Sequence, residues 1–299
     1  MSGAREMLSG FAVDLGGTKI AAARIEAGTI MARSRADTDG AAPPEAQVAA
    51  MRDLLLPLGY TSGEPLGIAV AGRIDAQGCW HAVNRGTLSR VSGVALHDLV
   101  SRLIGPCRCL NDGAAAVLAE ARHGAGRGAN NLAFVTVSTG VGGGLMVGGR
   151  LLESASGLAG HVGFTTSRFA DSECGSGRVG TVESIAGGRA IAAAAALAGH
   201  ATDARGVCEA DVRGEVWAGA ILDRSANAVA ALVTDLTVIL GLERVVIGGS
   251  IGLEKSYKRR IINALDAEPD LFRVPVEPAA FGGDAPLIGA LACASDESV

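Results

Sequence analysis

The chain has 299 residues, of which 48% are hydrophobic and 3% aromatic, and it carries a formal net charge of -5. This length allows two domains, and the small residues, including 43 glycines, are typical of closely packed α/β layers. The negative charge argues against a general nucleic-acid-binding protein, because such proteins present basic surfaces.

The cysteines show no spacing typical of a disulfide framework, which indicates reduced thiols in a cytoplasmic protein. They are Cys79, Cys107, Cys109, Cys174, Cys208 and Cys293. Residues 1–10 lack the apolar core of a signal peptide. The longest apolar run, Val229–Leu242, contains Asp235 and is short for a bilayer span. We therefore expect a buried helix there and no membrane partner.

The N-terminal region reads as a strand, a glycine turn and a second strand. The apolar pattern predicts three successive strands, over Phe11–Asp14, Ile20–Ile25 and Thr29–Ala36. The first turn and its flanks contain Asp14, Gly16, Gly17, Thr18 and Lys19. Glycines let backbone N–H groups approach phosphate oxygens closely, and a carboxylate at the strand end can hold Mg²⁺ through water. The alternative is an ordinary hairpin turn with an incidental Asp.

A second acidic position follows another strand further along the chain. The pattern predicts a helix over Pro44–Leu58, a strand over Leu66–Val70, a helix over His97–Ile104, a strand over Cys107–Leu110 and a helix over Gly113–His123. Asp112 lies between the last two, where the helix dipole favours its ionised form. It is therefore a candidate base for removing a proton from a substrate hydroxyl, and Asn111 can bind neighbouring hydroxyls. The alternative is that Asp112 only caps the helix.

The second half repeats the strand–turn–strand pattern. We expect a strand over Leu132–Ser138, a glycine turn over Thr139–Gly144, a strand over Leu145–Val147, a helix over Gly187–Leu197, one or two helices over Val216–Leu240, a strand over Arg244–Ile247 and a helix over Pro286–Ala294. No dinucleotide fingerprint follows the second glycine turn, which excludes a Rossmann site. A third glycine pair, Gly248-Gly249, follows a strand where an adenine or ribose can lie flat. Two related lobes facing a cleft are the expected arrangement.

Four motifs together resemble the ROK family of sugar kinases over nearly the whole chain. They are Asp14–Lys19, Leu110–Ala116, Ser138–Gly144 and Gly157–Gly163. The resemblance implies an α/β, actin-like (ribonuclease H-like) ATPase fold with two lobes around a central cleft that binds ATP and Mg²⁺. It also implies a homodimer, and Asp112 as the base acting on the C6 hydroxyl of a sugar. The smaller lobe is expected over residues 1–118 plus 287–299, and the larger over 119–286.

The resemblance also assigns the binding residues. Nucleotide binding is expected at Asp14, Gly16, Gly17, Thr18, Lys19, Thr139, Gly140, Gly142, Gly248 and Gly249. Sugar binding is expected at Gly72, Arg73, Asn84, Asn111, Asp112, His161 and Glu183. Plainer alternatives are that His161 packs near the cleft, that Arg73 is a solvated turn residue and that Glu183 is a solvated acid at a helix start.

His161 bears on the choice of sugar. ROK glucokinases usually have Glu at the matching position, whereas a His can donate to an acetamido oxygen. The motifs most resemble family members that phosphorylate N-acetylmannosamine, which is the expected substrate. Glucose and N-acetylglucosamine are the alternatives within the enzyme class, and a non-catalytic sugar sensor is the alternative outside it. Sensors in the family usually begin with a DNA-binding domain, and only about a dozen residues precede the first predicted strand here.

The chain departs from the family at its zinc motif, a His followed by three Cys. The matching positions are Phe164, Cys174, Ser176 and Thr181. A structural zinc site needs about four ligands, so one thiolate is not enough. We therefore expect no zinc.

Overall fold

The computed structural model describes residues 8–84 and 86–295. Within them the chain forms two compact units. Unit 1 contains residues 8–124, 152–159 and 284–295, and unit 2 contains residues 125–151 and 160–283. The lobe boundaries expected from the family resemblance stay a prediction.

The strands follow each other in this order: β1 (Gly10–Leu15), β2 (Lys19–Glu26), β3 (Thr29–Asp37), β4 (Leu66–Val70), β5 (Arg73–Ile74), β6 (Cys79–His81), β7 (Val94–Ala95), β8 (Arg108–Asn111), β9 (Leu132–Val137), β10 (Val141–Val147), β11 (Arg150–Leu151), β12 (Arg244–Gly248) and β13 (Val276–Pro278). The α-helices are α1 (Pro44–Leu55), α2 (Leu96–Leu103), α3 (Asp112–His123), α4 (Glu183–Ala186), α5 (Gly188–Leu197), α6 (Ala204–Val212), α7 (Val216–Leu240), α8 (Lys255–Asp266) and α9 (Ala285–Ala294). Short 3₁₀ turns cover Leu56–Leu58, Val162–Phe164, Asp270–Phe272 and Gly282–Asp284.

Each unit contains a five-stranded sheet of the same topology. The strand order is β3-β2-β1-β4-β8 in unit 1 and β11-β10-β9-β12-β13 in unit 2. In both sheets the first three strands form an antiparallel meander, and the last two run parallel to the meander's first strand. The expectation that the strand–turn–strand pattern occurs twice is confirmed. A further small sheet, β5-β6-β7, belongs to unit 1.

The C-terminal helix α9 completes unit 1 by packing on α3 and β4. Glycines allow this close packing. A Cβ at Gly289 would lie 1.7 Å from the Ala115 carbonyl oxygen, and one at Gly67 would lie 2.1 Å from the Ala290 carbonyl carbon. The chain's end is therefore held against its first half by backbone-to-backbone contact.

Each unit has its own hydrophobic core. The core of unit 1 lies between its sheet and α1 and α2, and includes Val13, Met51, Ile68 and the fully buried Trp80. The core of unit 2 lies around α7 and the sheet, and includes Val135, Val229, Val245 and Tyr257. Small residues from β9, α5 and α7 fill much of the second core, which agrees with the composition.

Helix α7 is a single helix, which decides between the one or two expected over this span. Its buried side chains include Val229, Leu232, Val233 and Leu236, so the expected buried helix is confirmed for that part of the run. By length and composition alone, α7 is also long and apolar enough to cross a membrane, and half of its apolar window is buried.

Two local predictions from the sequence were wrong. The first helix ends at Leu55 and continues only as a 3₁₀ turn, because Pro57 lacks the N–H that an α-helix needs. The glycines Gly142–Gly144 lie in β10 rather than in a turn, since they pair with Thr136–Phe134 of β9. A Cβ at Gly143 would lie 2.4 Å from the Phe134 carbonyl oxygen, so glycine is needed there for sheet packing.

Candidate functional site

In unit 1 the carboxyl ends of three parallel strands bring two acidic residues together. Asp14 of β1 pairs with Ala69 of β4, which in turn pairs with Leu110 of β8. Because parallel strands end at one edge of a sheet, Asp112 at the start of α3 lies on the same edge as Asp14.

Asp14 is a half-buried acid with one buried carboxylate oxygen. That atom, Oδ1, has no hydrogen-bond partner among the residues that the structure describes. Burial, and then the neighbouring Asp112 charge, raise the pKa of Asp14 to about 7. A buried carboxylate oxygen without a donor is costly, and a hard cation that prefers oxygen ligands would offset that cost. The residues at this strand edge therefore fit Mg²⁺.

Asn111, and not Asp112, is the N-cap of α3. Its Oδ1 accepts hydrogen bonds from Gly113 N at 2.9 Å and Ala114 N at 3.1 Å. Its extended backbone suits an N-cap, whereas Asp112 is already the first helical residue, so the alternative that Asp112 is only a cap is wrong. The Asn111 Nδ2 also donates to Gly72 O at 2.5 Å and to Asp112 Oδ1 at 2.8 Å. These contacts orient the Asp112 carboxylate, and the role of Asn111 as a sugar ligand stays a prediction.

The turn after β1 is held by two internal hydrogen bonds, and its role in nucleotide binding stays a prediction. The Gly16 N–H donates to Lys19 O at 2.9 Å, and Thr38 Oγ1 donates to Gly16 O at 2.9 Å. Both backbone polar groups of Gly16 are therefore hydrogen-bonded. The side chains of Thr18 and Lys19 are exposed. A Cβ at Gly17 would lie 3.2 Å from the Thr87 methyl group, which leaves little room for a side chain there.

Three expected sugar-binding residues of unit 1 are Gly72 and Asn84, which lie outside the strands, and Arg73, which begins β5. Gly72 has a φ of 105°, and a Cβ there would lie 2.4 Å from His81 O, so the position requires glycine. Arg73 Nη1 donates to Ser156 O at 2.7 Å. Asn84 Oδ1 accepts from Gly86 N at 2.8 Å. Their contacts are internal to unit 1, and their binding roles stay predictions.

In unit 2 the second and third glycine turns lie side by side. Ser138 Oγ is 3.2 Å from Ser250 Oγ, and Val137 O accepts from Ile251 N at 3.0 Å. Gly249 has a φ of 85°, and a Cβ there would lie 2.3 Å from Val137 O. The structure thus brings the turn with Thr139 and Gly140 next to Gly248 and Gly249, while Gly142 lies in β10.

Glu183 contacts the first residue of β10, and the turn that follows His161 packs on the same residue. Glu183 Oε2 accepts from Val141 N at 3.1 Å, and its Oε1 accepts from Gly175 N at 3.2 Å. A Cβ at Gly140 would lie 2.3 Å from Glu183 Oε2. The turn after His161 packs so closely on β10 that a Cβ at Gly163 would lie 1.9 Å from Val141 O. The His161 ring stacks on Phe164 at 5.9 Å and 18°.

Two hydrogen-bond donors near Glu183 and His161 were not predicted from the sequence. The Val141 N–H donates to Glu183 Oε2, and the guanidinium of Arg178 donates to the carbonyl oxygen of Phe164. Both act between side chain and main chain, and no spacing in the sequence signals such a contact. Across the described ranges 8–84 and 86–295, no group of three His, Cys, Asp or Glu side chains is arranged to hold a metal ion. The expected absence of zinc stays a prediction.

Comparison with known proteins gives a consistent result. The family model described as "ROK family" matches residues 10–297. The chain is 37% identical over 290 residues to an N-acetylmannosamine kinase of Yersinia pseudotuberculosis serotype O:1b, covering 95% of this chain and 97% of that protein.

Solved structures give the same picture for the fold. A ROK family glucokinase from Streptomyces griseus, in complex with glucose and AMPPNP, superposes with a TM-score of 0.80 at 25% identity, covering 95% of this chain and 98% of that one. A ROK hexokinase from Thermus thermophilus superposes with a TM-score of 0.77 at 28% identity, covering 95% and 96%. The expected actin-like ATPase fold is confirmed, and the chain belongs to the ROK family.

Proposed function

We propose that this chain is an ATP-dependent sugar kinase that phosphorylates N-acetylmannosamine at its C6 hydroxyl. The observation that supports it most is the pair of carboxylates at one sheet edge, with Asp112 oriented by Asn111 and with the Oδ1 atom of Asp14 buried without a donor among the described residues. The 37% identity to an N-acetylmannosamine kinase over 95% of the chain supports the choice of sugar.

The proposed chemistry gives each residue one task. Asp112, the first residue of α3, accepts the proton of the attacking hydroxyl. Asp14 would hold Mg²⁺ through water, and the ion would supply positive charge beside the phosphate oxygens. The glycines of the turns at Gly16-Gly17 and Thr139-Gly140 let the backbone approach the phosphates of ATP closely.

The proposed sugar-binding residues are those that the family resemblance assigns. His161 donates to the acetamido oxygen, and Glu183 accepts from a sugar hydroxyl while its oxygens also accept from Val141 N and Gly175 N. Gly72, Arg73, Asn84 and Asn111 complete the proposed set. The assigned lobes remain 1–118 plus 287–299 and 119–286, and we propose a cytoplasmic homodimer without zinc, nucleic acid or a membrane partner.

A panel of sugars tests the substrate. Purified protein with MgATP is assayed for ADP release over N-acetylmannosamine, N-acetylglucosamine and glucose. We expect the highest kcat/KM for N-acetylmannosamine. A preference for glucose, the ligand in the Streptomyces griseus structure, would identify a glucokinase instead. A preference for N-acetylglucosamine would identify the other alternative kinase, and sugar binding without ADP release would identify a sensor.

Replacing the proposed base separates chemistry from binding. We expect Asp112→Ala to lower kcat by about 10²–10⁴-fold, the usual contribution of a general base, while ATP affinity measured by calorimetry stays close to that of the wild type. The matched control is Asp171→Ala, which removes an exposed carboxylate in unit 2. Near-normal turnover by the Asp112 variant would refute the assignment.

A further inference from the structure

A small hairpin in unit 2 contacts Glu183 and also Phe164, the residue that stacks on His161. The chain from Phe164 to Glu183 folds back on itself through bridge pairs at Thr166–Thr181 and Glu173–Val179. The tip of this loop is a turn in which Cys174 N donates to Arg178 O at 2.9 Å. We call residues Glu173–Val179 the tip hairpin. His161 precedes this loop, and Glu183 ends it at the start of α4.

One side chain of the tip hairpin crosses to the beginning of the loop. Arg178 Nη1 donates to Phe164 O at 2.5 Å, and its Nη2 donates to Thr166 Oγ1 at 2.8 Å. A planar guanidinium makes two directed bonds at once, which fixes the geometry of both acceptors. These bonds join residues 14 and 12 positions apart, so they close the loop.

The Phe164 that Arg178 holds is itself attached to His161. The two rings are stacked at 5.9 Å, and Phe164 N donates to His161 O at 3.1 Å. A shift of Phe164 therefore changes the support of the imidazole. At the other end of the loop, the Gly175 N–H of the same tip hairpin donates to Glu183 Oε1 at 3.2 Å.

We infer that Arg178 is a positioning residue for the sugar: it closes the loop in the form that supports His161 through Phe164 and presents Gly175 N to Glu183. The inference rests on the proposed function, since it concerns the same sugar site. Arg178 is exposed and forms no part of the unit 2 core, so its contribution falls on the geometry of the loop.

The test uses a matched pair of arginines in the full-length protein. Arg178→Ala removes the two bonds to Phe164 and Thr166. Arg224→Ala removes a similar bond, from Arg224 Nη2 to Phe169 O at 2.6 Å. This bond also holds the loop, but Phe169 makes none of the contacts described above with His161 or Glu183. KM for the sugar, KM for ATP and kcat are measured for both, using the best sugar of the wild-type panel.

We expect Arg178→Ala to raise the sugar KM about tenfold, the size expected for losing charge-assisted hydrogen bonds that hold a binding group, while the ATP KM stays within about twofold of the wild type. Arg178→Lys keeps the charge but loses the forked pair of donors. Its sugar KM is expected to lie between those of the wild type and Arg178→Ala. Arg224→Ala is expected to leave the sugar KM within about twofold.

Two outcomes overturn the inference. One is a sugar KM unchanged in Arg178→Ala, and the other is an equal rise in Arg224→Ala, which would show a general effect on loop stability. Should Arg178→Ala fail to fold, Thr166→Val and Arg178→Lys carry the same test with a smaller expected rise. Should the wild type phosphorylate none of the sugars, the proposed function fails by itself, and sugar affinities from calorimetry with N-acetylmannosamine decide the role of Arg178 separately.

Discussion

At the scale of single residues, Asp14 makes stability depend on pH. Its pKa lies near 7 in the folded protein against an ordinary value of 3.8, so the folded state binds more protons than the unfolded state between these values. The free energy of unfolding therefore falls as the pH rises through this range and levels off above about pH 7. The folded protein is thus less stable when the Asp14 carboxyl is ionised, which is the form that the proposed chemistry needs.

We expect Asp14→Asn to remove this dependence. Relative to the variant, the wild type is expected to lose about 1–4 kcal/mol of unfolding free energy between about pH 4 and pH 8. The measurement is urea unfolding without nucleotide or divalent metal. Asp171→Asn, at an exposed site in unit 2, serves as the control. A difference between Asp14→Asn and the wild type that stays constant with pH would contradict the burial of this carboxylate.

The sequence located some site residues and not others for a physical reason. Asp14 lies near the end of β1 and Asp112 directly follows β8, and an acid at the end of a strand stands out in a local pattern. The sequence did not show that Asn111 rather than Asp112 caps α3, because either side chain can cap a helix and only the backbone conformation decides. Arg178 reaches Phe164 across 14 positions, and no local pattern records such a contact.

At the scale of elements, the long apolar runs predicted the two main sheets well. The strand–turn–strand pattern occurs in both main sheets, as predicted, and β4 has the predicted bounds. The short strands β5, β6, β7, β11 and β13 were missed, because two or three residues are too few to show a period. Their positions depend on the partners they pair with. The sequence alone did not separate two uses of glycine, the turn at Gly16 and close packing in the sheet at Gly143.

Close packing of α9 on α3 gives a prediction for Gly289. A Cβ there would lie 1.7 Å from Ala115 O, and backbone cannot move aside as a flexible side chain can. We expect Gly289→Ala to lower the free energy of unfolding by about 1–3 kcal/mol, as overpacking does.

Gly219→Ala is the matched control for this substitution. Gly219 is also helical, in α7, but a Cβ there would meet its nearest atom, Asp211 Oδ1, at 3.4 Å. That is ordinary contact, so alanine is expected to be neutral or to stabilise by up to about 1 kcal/mol through its helix propensity. Equal urea midpoints for the two variants would contradict the close approach of α9 and α3.

At the scale of the whole molecule, each unit has a separate hydrophobic core, and the topology of the two main sheets is the same. A unit with its own core and sheet can unfold cooperatively by itself. We therefore expect two transitions in calorimetry of the unliganded protein, with a van't Hoff enthalpy smaller than the calorimetric one.

Substitutions assign the two transitions, because each changes contacts inside one unit. Gly289→Ala alters unit 1 and is expected to lower the temperature of one transition, whereas Val229→Ala removes buried methyl groups from the core of unit 2 and is expected to lower the other. The pH dependence caused by Asp14 is expected in the transition that Gly289→Ala lowers. A single transition with equal enthalpies, shifted by both variants, would instead mean that the two cores unfold as one cooperative unit.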